Sequence, residues 1–250
     1  MDDDDLMAVL DRTATAIKDA LATIVDWRPM TGKPTQYALD VVADDPAVEV
    51  LTGAGLGVLS EESGLHHENR DVVVVMDPVD GSTNASRGIP WYATSLCAVD
   101  RYGARAALVV NLATGERFEA VRGRGARHDG KPIHVTACTR LSDAIIVCNG
   151  LSGHLGWRQY RVFGAAALDL CCIGAGRVDG FVDATTGMLG PWDYLGGMLV
   201  VTEAGGLVED LERRPLVVLD HAARRGPIAA ATPELLDELR RVRSEDGPVS

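Results

Sequence analysis

Apolar positions recur at helical spacing from the start of the chain. Leu6, Val9, Leu10, Ala14, Ile17, Leu21 and Ile24 lie on one stripe and predict an amphipathic helix over residues 5 to about 26. A linker with Pro29, Gly32 and Pro34 follows. Residues 45 to 53 read as a second helix, with Pro46 tolerated near its start. The pattern then changes period. Val58-Leu59 is a short apolar run that stops at Ser60-Glu61-Glu62-Ser63, and Val72 to Met76 is a β-branched run closed by methionine. Such a run suits a strand buried on both faces. It is expected to stop at Asp77-Pro78, because proline cannot donate to a ladder. Two candidate strands thus each end in a carboxylate.

Antiparallel strands are expected over Tyr92 to Val99, Ala106 to Leu112 and Glu116 to Val121, separated by Tyr102-Gly103 and Thr114-Gly115. The second half alternates. Strands are expected at Ala144 to Cys148, Gly180 to Val182 and near Val217. Helices are expected at Gly164 to Gly174, at Asp193 to Ala204 closed by Gly205-Gly206, and at Pro233 to Val242. The tail beyond Ser244 reads as disordered. The fold class is α/β: two halves, about 1–135 and 136–250, share one body and form a single domain.

Composition narrows the chemistry. The 250 residues carry a formal charge of −12, and the basic residues are scattered rather than gathered into a stripe, which argues against a nucleic-acid partner. An acidic protein that takes anionic phosphate esters needs a bridging cation. The five cysteines, an odd number without CxxC spacing, fit a reducing compartment and no structural zinc. No run approaches the roughly 18 apolar residues of a membrane span. The Met1-Asp2-Asp3-Asp4-Asp5 start is unlike a signal peptide and reads as a solvated tail, so a cytoplasmic protein is expected.

Four acids stand out by position: Glu61 after its strand, Asp77 and Asp80 flanking Pro78-Val79, and Asp193 after Pro191-Trp192. Magnesium takes about six oxygens, typically a few carboxylates plus water and phosphate. Two such ions roughly 3.5–4 Å apart can activate a water and support a leaving oxygen. A rigid turn can aim Asp77, Asp80 and the carbonyl of Val79 at one point, and Gly81 lets the backbone come close. Ser82-Thr83-Asn84 can open a helix whose free N–H groups hold phosphate. Each piece alone has a plainer explanation. Asp-Pro-x-Asp-Gly is a common turn, Asp193 a helix cap, and Glu61-Glu62 a solvated loop end. Their combination favours the metal.

Asp77-Pro-Val-Asp-Gly-Ser-Thr-Asn84 resembles the first signature of the inositol monophosphatase superfamily. Pro191-Trp-Asp193, followed by Gly196-Gly197 and Glu203-Ala-Gly-Gly206, resembles its second, and Ser60-Glu-Glu-Ser63 its upstream acidic pair. The resemblance implies a five-layered α-β-α-β-α sandwich, two or three Mg2+ ions and a homodimer. It implies hydrolysis of a small phosphate monoester by water, with sensitivity to lithium. Carried over, Glu61, Asp77 and the Val79 carbonyl would hold one ion, and Asp77, Asp80 and Asp193 the second. Gly81, Ser82 and Thr83 would bind phosphate, and the Ser82 hydroxyl would orient the water.

The chain also departs from the family pattern. The upstream D-x-x-T-x-x-D motif is matched only by Asp40-Val-Val-Ala-Asp44-Asp45, so the catalytic aspartate would be Asp44 or Asp45, with Asp44 preferred. Thr186 stands where animal inositol monophosphatases carry a hydroxyl-binding glutamate; a threonine can still hydrogen-bond a hydroxyl. Inositol 1-phosphate or a related polyol or sugar phosphate is the expected substrate. Histidinol phosphate and fructose 1,6-bisphosphate are alternatives. Thr83, in place of a lysine, disfavours 3'-phosphoadenosine 5'-phosphate. A non-catalytic scaffold is the reading of another class, and retention of all four acids argues against it. Gly53-Ala-Gly-Leu-Gly57 lacks the GxGxxG spacing of a nucleotide site.

Overall fold

The computed structural model of the chain describes residues 1–32, 36–150, 156–185 and 187–245. Two helices, α1 (Asp3–Leu21) and α2 (Ala38–Gly53), come first. They are followed by β1 (Gly57–Ser60), β2 (Gly64–His66), β3 (Val73–Asp80) and the short helix α3 (Ser82–Arg87). A run of strands comes next: β4 (Ala93–Asp100), β5 (Gly103–Asn111), β6 (Arg117–Val121), β7 (Gly125–His128) and β8 (Lys131–Pro132). The remainder is β9 (Ile145–Asn149), β10 (Gln159–Arg161), α4 (Ala166–Gly174), β11 (Gly180–Asp183), α5 (Pro191–Glu203), β12 (Leu207–Asp210), β13 (Pro227–Ala230) and α6 (Pro233–Glu245).

The first sheet has the order β2-β1-β3-β4-β5-β6-β7-β8, antiparallel except for β1 against β3. The second has the order β10-β9-β11-β13-β12, with β10, β9 and β11 parallel. Three apolar clusters define five layers. Leu6, Leu10, Ile17 and Leu51 of the first two helices pack under Val74, Met76, Leu96 and Leu108. The opposite face of that sheet, with Val75, Cys97 and Val109, packs on α4 and α5, which in turn cover Val147 and Phe181 of the second sheet. Leu235, Leu236 and Leu239 of α6 close the far side against Ile146, Val182 and Ile228. The expected five-layered α-β-α-β-α sandwich is the observed one.

Several elements differ from the sequence reading in ways that matter for the site. The first helix begins at Asp3, so the acidic start is helical and not a tail, although Asp2, Asp4 and Asp5 stay exposed. Asp2 Oδ1 accepts from the Asp5 N–H at 2.8 Å, and Asp3 and Asp4 pair with Arg105 and Arg124 at 2.8 and 2.7 Å. Carboxylates in a first turn complement the helix dipole. This helix stops at Leu21, because the amides of Thr23 and Ile24 turn back to the carbonyls of Ala20 and Leu21. The second helix starts seven residues before the expected Asp45, capped by Asp40 Oδ2 accepting from the Tyr37 N–H at 2.8 Å. Pro46 lies inside it, where the Val42 carbonyl loses its usual donor on a residue 40% exposed to water.

β3 does not stop at Asp77 but continues to Asp80 through a bulge. Pro78 sits in that bulge, so its missing N–H breaks no ladder bond. No strand forms at Val217; the last two strands are β12 and β13, joined by an irregular segment in which the Leu216 carbonyl accepts from the Tyr194 hydroxyl at 2.7 Å. β2, β7, β8 and β10 were not separable from turns in the sequence, and three of the four have two or three residues. Residues 246–250 of the expected disordered tail lie outside the described residues, whereas 244 and 245 continue α6.

α4 and α5 approach closely because Gly197 has no side chain. A Cβ there would stand 2.6 Å from Leu170 Cβ and 2.8 Å from the Ala167 carbonyl oxygen. Replacing Gly197 by alanine therefore overpacks the middle layer and should cost about 1–3 kcal/mol. For a chain of this size that lowers Tm by roughly 2–4 °C per kcal/mol, read by calorimetry. An unchanged Tm would show that the two helices separate freely.

Candidate active site

The site forms where β1 and β3 end and where α3, α4 and α5 begin. Parallel pairing brings the ends of β1 and β3 side by side, and the Glu61 N–H donates to the Met76 carbonyl at 3.1 Å. Asp77 and Asp80 project from the bulge. Asp77 Oδ1 accepts from the Val79 N–H at 2.9 Å, and Asp80 Oδ2 accepts from the Ala167 N–H of α4 at 2.7 Å. Asp193, in the first turn of α5, accepts from the Gly190 N–H at 2.6 Å through Oδ2. Asp193 is not the N-cap residue, which is Gly190, but the N3 acid that reaches back to it; that bond is compatible with a second role, since a carboxylate offers about four lone-pair sites.

One oxygen from each of Glu61, Asp77 and Asp193 lies within 4.8 Å of the others, and Asp80 stands beside them. Asp77 is pushed well above the usual carboxylate range, by burial first and then by the charges of Glu61, Asp80 and Asp193. Asp193 is raised likewise, by burial and by Glu61 and Asp80. Burial, partly offset by the Ala167 amide, raises Asp80 to about 7. Like charges crowded in low dielectric repel strongly unless protonated or bridged by a cation. The donors are hard oxygens at a spacing that one or two divalent ions can span, so this donor set fits magnesium.

Gly81 has φ +86°, and a Cβ there would lie 3.0 Å from the Trp91 carbonyl and 3.1 Å from both Ala165 Cβ and the Gly164 carbonyl. The backbone angle strains any side chain, and the space would leave a Cβ in tight contact. Asn84 fastens this corner, donating through Nδ2 to the carbonyls of Trp91 and Phe163 at 2.8 Å each. The amides of Ser82 and Thr83 precede the first helical bond of α3, from Ala85 N–H to Gly81 C=O at 3.0 Å, and are free to meet an anion. The Thr83 hydroxyl is hydrogen-bonded with the hydroxyl of Tyr37.

The structure does not bring Asp44 to this site. Its carboxylate accepts a hydrogen bond from the Ser60 hydroxyl, whose oxygen accepts from the Glu62 N–H at 3.2 Å, so Asp44 braces the turn that carries Glu61. Asp45 is exposed on the outer face of α2. The aspartate that faces the Ser82 side chain is Asp40. It is buried, its Oδ1 completes no hydrogen bond, and burial, aided by the charges of Glu62 and Glu61, raises it to about 7. The sequence reading placed Asp40 before the helix, because Pro46 looked like the helix start. The signal that could have found it is the carboxylate three residues after Tyr37, at the N3 position of a helix. Thr186 lies outside the described residues. The neighbouring Asp183 is engaged by Asn149 and Thr185 at 3.2 and 3.0 Å.

Residues 47–246 match the model of the inositol monophosphatase family, and the chain belongs to that family. A relative in Archaeoglobus fulgidus, named fructose-1,6-bisphosphatase/inositol-1-monophosphatase, is 37% identical over 193 residues, covering 74% of this chain and 73% of its own. The Nus factor SuhB of Escherichia coli is 34% identical over 169 residues, covering 61% of this chain and 62% of its own. Among solved structures, the extragenic suppressor protein suhB of Bartonella henselae superposes with a TM-score of 0.82 at 29% identity, covering 96% and 98% of the two chains.

The crowded acids make stability depend on pH and metal together. Carboxyls raised in the folded state hold more protons there than in the unfolded chain between about pH 4 and pH 7, so stability falls as pH rises through that window. In EDTA, Tm should be lower at pH 8 than at pH 5.5. Added magnesium should raise Tm more at pH 8, where it has fewer protons to displace. A metal-free protein more stable at pH 8, with no response to magnesium, would contradict the electrostatic picture.

Proposed function

We propose that this chain is a magnesium-dependent phosphatase that hydrolyses the monoester of a small polyol or sugar phosphate, inositol 1-phosphate or fructose 1,6-bisphosphate foremost. The observation that carries this reading is the convergence of Glu61, Asp77 and Asp193 beside Asp80, at the free amides of Gly81, Ser82 and Thr83. The names of the archaeal relatives support both substrates. Histidinol phosphate remains the alternative monoester.

In this reading Glu61, Asp77 and the Val79 carbonyl would hold one ion, and Asp77, Asp80 and Asp193 would hold a second. Bound there, magnesium supplies positive charge to the phosphate oxygens and to the leaving oxygen. The protein's own groups do the rest. The amides of Gly81, Ser82 and Thr83 would hold the phosphate oxygens. The Ser82 hydroxyl holds the attacking water by accepting its proton as it passes its own to Asp40. Asp40, raised to about 7, is a base matched to neutral pH, and Asp44 serves the fold. The five unpaired cysteines favour a reducing cytoplasm, and the family resemblance favours a homodimer.

A partner-binding reading follows from the Nus factor relatives. The retention of every acid a metal would need favours catalysis over it.

The test is phosphate release from a panel of inositol, sugar, histidinol and nucleotide phosphates, with magnesium and with EDTA. One monoester should be turned over far faster than the rest, only with metal. Failure on every substrate by a protein that still binds magnesium would leave the partner-binding reading. Asp40→Asn should lower kcat by roughly 10²- to 10⁴-fold. Asp44→Asn should lower Tm while keeping most of kcat. The reverse order would return the base to Asp44.

A further inference from the structure

The irregular segment between β12 and β13 reaches back to the acidic cluster. It is pinned at one end by a bridge in which Arg225 and Leu189 exchange backbone hydrogen bonds at 2.8 and 3.3 Å. Leu189 immediately precedes Gly190-Pro-Trp-Asp193, the start of α5. Within the segment, Arg224 Nη1 donates to the His221 carbonyl at 2.9 Å, closing a turn. The turn presents two side chains to the site. His221 Nε2 lies 2.9 Å from the Glu61 carbonyl oxygen, and its ring packs on Trp192 with centroids 4.8 Å apart and planes at 35°. The Arg224 guanidinium lies over the same indole at 5.1 Å.

A carbonyl only accepts, so the histidine donates from Nε2. The Glu61 backbone is then held on both sides. Its N–H is bound to Met76 of β3, and its C=O is bound to His221. Fixing both ends of a residue fixes the direction in which its side chain leaves the backbone. The same histidine rests on Trp192, the residue before Asp193. It therefore joins the two elements that deliver carboxylates to one centre from opposite halves of the fold.

We infer that His221 is a positioning residue for the metal centre, acting through the Glu61 carbonyl. This rests on the reading of Glu61, Asp77 and Asp193 as metal ligands. Groups that orient ligands typically change metal affinity about 10- to 100-fold when removed. His221 is exposed, so its replacement leaves the core intact.

The experiment is Mn2+ binding to the full chain, followed by the electron paramagnetic resonance of the free ion at fixed pH. His221→Ala should weaken Mn2+ by roughly tenfold. His221→Phe, which keeps the ring but has no donor, should weaken it equally. His221→Gln, whose amide can reach the carbonyl, should bind within about threefold of the parent, at a metal-free Tm matching the alanine variant's. Parental affinity in the alanine or phenylalanine variant would overturn the inference, as would a glutamine variant as weak as alanine. If the parent itself binds no Mn2+, the metal-centre reading fails and this inference falls with it, a result distinct from a change confined to the variants.

Discussion

The constraint on which the rest depends is the repulsion between carboxylates buried together. Asp77 is nearly solvent-free with Glu61, Asp80 and Asp193 around it, and each neighbour raises the cost of its ionisation. A fold built only for stability would separate these groups. Here four elements from both halves of the chain converge to hold them close. The structure opposes the repulsion with backbone amides: Val79 for Asp77, Ala167 for Asp80 and Gly190 for Asp193. Each such bond stabilises a charged acceptor by about 1.5–3 kcal/mol. The amides offset the crowding only in part, since Asp80 still stands near 7. What remains uncompensated is the repulsion that keeps the carboxyls of Asp77, Asp80 and Asp193 raised.

The architecture follows from the need to present those acids rigidly. Two acids come from a strand bulge, which re-aims side chains without breaking the ladder on either side. One comes from a helix N-terminus whose own cap it provides. Gly81 and Gly197 mark where backbone must approach backbone or helix must approach helix; at Gly197 a methyl has no room, and at Gly81 it would be tight on a positive φ. Ser60 and Asp44, outside the centre, stiffen the turn after β1 from beneath.

The long, periodic elements were legible in the sequence. The apolar stripe of α1, the β-branched run of β3 and the turn residues that separate β4, β5 and β6 each carry their own signal. So do the acids whose residue types and motifs mark them: Glu61, Asp77, Asp80 and Asp193. What escaped were features created by tertiary contact. Pro46 read as a helix start because local rules penalise it inside a helix, and that error hid Asp40 in a supposed linker. Asp44 looked apt by spacing, and only packing shows that its partner is Ser60. His221 has no motif at all; it lies 160 residues from the carbonyl it binds. β12 and β13 are only four residues long; β13 is a strand because β11 offers it an edge, and β12 because β13 does in turn.

The central claim is that these carboxylates form a divalent-metal centre. Its most direct test is the anomalous-difference density of crystals grown with Mn2+. The account predicts a strong peak between the carboxylates of Glu61, Asp77 and Asp193, lost when Asp77 is replaced by asparagine. Manganese ordered elsewhere on the molecule, with no peak among these three side chains, would contradict it.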